Sequence, residues 1–205
     1  MSIVSYNNRS IKDITAIPGA AKSLTHIKTL TASSSGTLSF VNGSSDVVLD
    51  STYPIYIFKF INIHPASDNS TFEVGFRDGS TDYDATKTTT FFWAYHDEAD
   101  SETSLGYLAS RDLAQGTGFT DLSGSVGNGG DESCSGELTL FNPSSTTFVK
   151  HFLSRSSLYE GGSYAMDVHT GGYCNVTAAI DAVQFKMSSG NVDAGTIKLY
   201  GLKDS

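Results

Sequence analysis

The sequence predicts an all-β fold: a two-sheet antiparallel β-sandwich, jelly-roll-like, with an irregular N-terminal arm. Three observations lead there. From Leu24 onward apolar side chains recur at every second position, the period of a strand with one buried face. The alternating runs are separated by clusters of Gly, Ser, Asp and Asn, the residues that turns require. No amphipathic stretch longer than two helical turns interrupts them. A chain of 205 residues fits one sandwich, or one sandwich plus an arm. It should bury roughly 70% of its extended surface, so it needs no metal or disulfide to fold.

Taken in order, residues 1–22 hold Asn, Gly, Pro and isolated Ile without a period of 2 or 3.6. They read equally as an arm laid on a neighbour or as a frayed tail. Residues 23–205 form a single sandwich domain. LTHIKTL (Leu24–Leu30) and GTLSFV (Gly36–Val41) read as a hairpin, and DVVL (Asp46–Leu49) as a short strand. YIFKFINI (Tyr56–Ile63) is apolar on both faces, as in a strand that is central or meets another subunit. TFEVGF follows, with Phe72, Val74 and Phe76 on one face. Residues from about 77 to 135 read as a loop-rich insertion containing one strand, TTTFFWAY (Thr88–Tyr95). ELTLFN, TTFVKHFLSRSSLY, AIDAVQFKMSS and GTIKLYG complete the series, the last two as a terminal antiparallel hairpin.

Charge and composition narrow the function. The formal net charge is −9, from 13 basic and 22 acidic residues, with no Lys/Arg run. Nucleic acid is therefore not an expected partner, because phosphate binding needs a positive track. No segment approaches the ~20 apolar residues of a membrane-spanning helix, and MSIVSYNNRS lacks the apolar core of a secretory leader. Cys134 and Cys174 are too few for a disulfide scaffold and read as reduced thiols.

Chemistry-bearing motifs are sparse. The five histidines, His26, His64, His96, His151 and His169, are never paired at i, i+2 or i, i+4, so no zinc site is expected. The acidic clusters RDGSTDYD and HDEAD lack the D-x-[DN]-x-[DN]-G spacing of a calcium loop. Glu73 with Asp97 or Glu98 would be the carboxylates for glycoside hydrolysis, but nothing in the sequence singles them out. No G-x-S-x-G is present, and the GSVGNGGDESCSG run does not open a helix as a phosphate cradle must. No catalytic residue, metal or cofactor is assigned. Aromatic residues carry the remaining signal. Tyr56, Phe58 and Phe60 are the candidate subunit-interface residues, with the core as the other destination for that strand. Trp93, Tyr95 and Tyr107 are the candidate surface-recognition residues, suited to stacking on a sugar or anchoring a protein.

Three segments, FKFINIHPASDNSTFEVGF (Phe58–Phe76), LFNPSSTTFVKHF (Leu140–Phe152) and AIDAVQFKMSSGNVDAGTIKLYGLKD (Ala179–Asp204), resemble stretches of virion structural proteins of marine tailed bacteriophages, including phages of cyanobacteria. The likeness covers chiefly the strands and brings no catalytic motif. It implies a jelly-roll-like module on the particle surface, often assembled as a trimer, and leaves head or tail open. With no fibre shaft in the sequence, the first expectation is a non-enzymatic capsid decoration or cement subunit. It would be a homo-oligomer, expected as a trimer, contacting other virion proteins such as the major capsid protein. It would reside in the virion after assembly in a bacterial cytoplasm, without nucleic acid or membrane as partner. The alternative is a receptor- or glycan-binding knob of a short tail fibre or spike, using Trp93 and Tyr95 on a host-surface glycan. A depolymerase acting through Asp97 or Glu98 is the third reading.

Overall fold

The computed structural model describes residues 24–203; the expected arm at residues 1–22 and the terminal residues 204–205 lie outside them. The described residues form twelve strands and no helix. They are β1 (Leu24–Thr31), β2 (Leu38–Val41), β3 (Ile55–Pro65), β4 (Ser70–Arg77), β5 (Lys87–Asp97), β6 (Thr103–Tyr107), β7 (Thr120–Val126), β8 (Cys134–Phe141), β9 (Lys150–Glu160), β10 (Tyr164–Cys174), β11 (Ala182–Met187) and β12 (Val192–Leu202).

All strand pairings are antiparallel, and the strands divide into two layers. The large layer runs β1-β12-β3-β8-β9-β10-β5-β6. The small layer runs β2-β11-β4-β7. One residue pair, Val126 with Glu160, stitches β7 to β9 and makes the whole a single folded-over sheet. The chain changes layer at most of its connections, which gives the jelly-roll-like sandwich.

Alternation explains the layers. Along β9, Lys150, Phe152, Ser154, Ser156 and Leu158 point inward, while His151, Leu153, Arg155 and Ser157 point out. The two inner faces meet through aromatic rings. Phe185 of β11 stacks on its neighbour Phe72 of β4 at 5.6 Å and meets Phe58 of β3 at 5.4 Å and Phe40 of β2 at 6.2 Å. Phe76 of β4 packs on Phe152 of β9 at 4.9 Å. Gly136 of β8 stands opposite Phe60; a Cβ there would collide with the Arg155 carbonyl and lie 2.8 Å from the Phe60 ring, so only glycine lets that ring lie flat on the sheet.

Several sequence expectations are corrected. The segments around β1 and β2 do not form a hairpin: β1 pairs with β12 and β2 with β11. Ala32, Ser34 and Ser35 extend along the start of β12 through N–H bonds to Gly195, Asp193 and Val192, and so carry the chain toward the other layer. The terminal hairpin is likewise absent, because β11 lies in the small layer and β12 in the large one. Residues 46–49 are not a strand, yet Val47 and Leu49 are buried. Tyr56 holds this segment, its hydroxyl donating to the Asp50 carbonyl at 2.9 Å and accepting from the Asp50 N–H at 3.0 Å. The 77–135 region holds β5, β6 and β7, not one strand.

Candidate functional site

Tyr56, Phe58 and Phe60 are all but fully buried within the subunit's own core. Their rings leave no surface for a second subunit, so their assignment as interface residues is corrected in favour of the core. The opposite face of the large layer is the exposed one. Neighbouring strands place Tyr107, Phe92, His169, Arg155, Glu137, Lys59 and Lys198 in one row across it.

That outer face is unusually apolar for exposed sheet. Leu153 is 60% exposed, Leu105 77%, Tyr107 56% and Phe92 41%. Phe92 and His169 stack with ring centroids 4.8 Å apart and planes within 2°. Gly171 leaves a shallow recess of about 350 Å³ bounded by Thr90, Phe92 and Leu153, continued by one of about 480 Å³ along Gly172 toward His151 and Tyr173. Two ion pairs lie on this face, and Lys198 stands beside them without a partner among the described residues. Lys59 meets Glu137 at 2.8 Å, and the Arg155 fork grips Asp167 at 2.8 and 3.0 Å. That grip holds the Asp167 carboxyl below the usual carboxylate range. The surface is thus broad, pleated, partly greasy and close to charge-balanced on a chain of net charge −9.

Trp93 and Tyr95 lie on the other side of β5, facing inward where the small layer ends at β7. The structure brings these two together and separates them from Tyr107, which stands on the outer face opposite Phe92 and donates its hydroxyl to Asp112. Tyr164 and Met166 of β10 join Trp93 and Tyr95 in an open cleft of about 250 Å³, closed by Arg111, Ser125 and Glu160. The rings are mutually perpendicular: Trp93 to Tyr95 at 5.7 Å and 83°, Tyr95 to Tyr164 at 5.4 Å and 88°. Arg111 is fixed at the cleft wall by Asp121 at 2.7 Å and the Ser125 hydroxyl at 3.1 Å, with its guanidinium 5.8 Å from the Phe91 ring centre. Burial pushes the Asp121 carboxyl up against the pull of Arg111. At the rim, Tyr164 donates to Glu102 at 3.1 Å, and Glu160 accepts the Gly162 N–H at 2.8 Å.

The carboxylates nominated from the sequence are placed as follows. Asp97 caps the turn after β5, accepting from the Ser101 hydroxyl at 2.5 Å and from the N–H groups of Ser101 and Glu102 at 2.8 and 2.7 Å. Those donors, the hydroxyl first, hold its pKa down at about 2. Glu73 pairs with Lys186 at 3.2 Å on the small layer, its carboxyl raised by burial. Cys134 and Cys174 are free and buried, and burial pushes both thiols up to about 12. Among the described residues no three His, Cys, Asp or Glu side chains converge as metal ligands do.

Sequence reasoning missed Tyr164, Arg111 and Met166. The available signal was the alternation of Met166, Val168, Thr170 and Cys174 in β10, weakened by Gly171 and Gly172. No protein-family model, curated protein or solved structure matches the chain.

Proposed function

We propose that this chain is a non-enzymatic structural subunit of a bacteriophage particle, a capsid decoration or cement protein that works as an oligomer, with a trimer as the expected state. It is assembled in the host cytoplasm and contacts other virion proteins, the major capsid protein foremost. The virion setting rests on the resemblance of the three strand segments. The mode of action rests on one observation: the outer face of the large layer exposes Leu105, Tyr107, Phe92 and Leu153 side by side with internally paired charges.

A flat patch of this kind suits self-association. Apolar burial there contributes about 25 cal/mol per Å², and a specific contact needs roughly 800 Å² from each partner. Like-charge repulsion between copies of an acidic protein is smallest where acids are already matched by Lys59 and Arg155. Two buried thiols also suit a protein made in a reducing compartment.

Two measurements test the proposal. Sedimentation of the purified chain should give an oligomer that Leu153→Glu with Phe92→Glu converts to a folded monomer. A wild-type chain that stays monomeric at high concentration rules out this face as the seam. In an image reconstruction of the intact phage, density for this sandwich should decorate the capsid lattice; its absence from the particle refutes the virion role.

A further inference from the structure

The cleft beside β7 is separate from the outer face and does not depend on the particle role. We propose that it is a binding site for one uncharged pyranose ring of a polysaccharide, with Trp93, Tyr95 and Tyr164 as its apolar walls and Arg111 as its polar anchor. The geometry carries the assignment in three steps.

First, these aromatics occupy inward positions of a sandwich strand without a covering layer. Lys87, Thr89 and Phe91 of the same strand and face are buried, whereas Trp93 and Tyr95 are only half-buried. Such rings present apolar surface with a polar tip to solvent, the composition used where a ligand is itself part apolar and part polar. A pyranose ring has that composition: C–H groups on its faces and hydroxyls around its edge.

Second, the polar groups are few and fixed before a ligand arrives. Asp121 and Ser125 orient the Arg111 guanidinium, and Glu102 orients the Tyr164 hydroxyl. A group already held in place loses little freedom on binding. Guanidinium N–H groups donate to sugar hydroxyls, and the Glu160 carboxylate accepts from them.

Third, size and charge choose among ligands. A cleft of about 250 Å³ lies below the common range of roughly 300–1,000 Å³ for drug-sized ligands, so it takes one ring and leaves the rest of a chain outside. Glu160 and Glu102 at the rim disfavour an acidic sugar. Perpendicular rings beside carboxylates are also the elements of a cage for quaternary ammonium groups, but Arg111 in the wall opposes a cation.

The chain has one tryptophan, so indole emission, excited at the red edge where its ten tyrosines do not absorb, reports on this cleft alone. Titration with neutral methyl pyranosides, α- and β-glucoside, galactoside and mannoside, should change the Trp93 emission saturably for at least one, with a Kd on the order of 1–10 mM as suits a single ring. Tyr164→Ala and Arg111→Gln should each weaken that binding about tenfold or more, while Leu153→Glu on the outer face should leave it unchanged. Unaltered far-ultraviolet circular dichroism keeps the comparison to folded protein. No response to any neutral glycoside overturns the proposal, as does a saturable response to choline or to a uronic acid in their place.

Discussion

Phe185 is the ring on which the two layers turn. It is fully buried, and it touches one ring from the large layer, Phe58, and two from the small one, Phe72 and Phe40. Phe185→Ala removes the ring and leaves a cavity that three rigid aromatics cannot collapse to fill. Core Phe→Ala changes cost about 3–5 kcal/mol, and each aromatic pair adds about 0.5–1.5 kcal/mol beyond burial, so the loss here belongs at about 4–5 kcal/mol. With a urea slope of roughly 2 kcal/mol per molar, the unfolding midpoint should fall by about 2 M. Phe185→Leu, which keeps a branched apolar side chain, should recover more than half of that. Equilibrium urea unfolding followed by circular dichroism and by Trp93 emission measures both variants. A Phe185→Ala loss under about 1.5 kcal/mol would mean that the layers do not meet through this ring.

Three further outcomes are expected. Gly195→Ala should destabilise by about 1–3 kcal/mol in urea unfolding, because Gly195 holds φ +122° at the β12 irregularity and a Cβ would sit 2.7 Å from the Asn62 carbonyl oxygen; a neutral result would refute that backbone geometry. Asp97 has its pKa lowered to about 2, so its contribution is complete above the unfolded value near 3.9 and is lost as pH falls through about 2; Asp97→Asn should speed amide exchange at Ser101 and Glu102 at neutral pH, and unchanged exchange there would refute the cap. Lys87 is buried with its ammonium on the Ala85 and Thr117 carbonyls, and burial lowers its pKa; its charge therefore weakens the fold most at neutral pH and less as pH climbs toward the unfolded value of about 10.4. The stability of Lys87→Met relative to wild type should accordingly shrink between pH 7 and pH 10 in urea midpoints, and a difference that grows with pH refutes the burial argument.

Strand existence was legible where one face is purely apolar. Tyr56, Phe58 and Phe60, or Val183, Phe185 and Met187, can point only into a core. Strand partners were not legible, because alternation fixes which face is buried and says nothing about which neighbour supplies the hydrogen bonds. The β11–β12 pair shows this: the turn at residues 188–191 looks like a hairpin turn, yet it carries the chain between layers. Strands missed altogether are rich in glycine and hydroxyls. β7 contains Gly124, whose missing side chain makes room for the Met166 sulfur, and β10 contains Gly172, where a Cβ would lie 2.6 Å from the Thr88 carbonyl oxygen. In both, close packing required the residue type that suggests a loop. The same limit explains the site: Trp93 and Tyr95 were visible as surface aromatics, but their separation from Tyr107 follows from pleat, and Arg111 enters from outside any strand.

The unequal width of the two layers ties these features together. The small layer has four strands, β2, β11, β4 and β7, and the large layer runs on past its edge to the Tyr164 end of β10, the far end of β5 and β6. A sheet face that nothing covers would normally be polar on its inner side too, since exposed apolar surface there stabilises nothing. Here the inner face beyond β7 keeps Trp93, Tyr95 and Tyr164, and the outer face keeps Phe92, Leu105 and Leu153. Trp93 and Tyr95 lean on the edge of the core with one part of each ring and leave the rest to solvent, while the outer set lies apart from the core altogether. Large rings and branched chains left on both sides of this part of the large layer are accounted for if each side meets something, one a flat surface and the other a small ring-shaped ligand. Replacing the inner set should then leave oligomer size untouched, and replacing the outer set should leave sugar affinity untouched, because the two sets lie on opposite faces of the same layer, with Phe92 on one side of β5 and Trp93 and Tyr95 on the other.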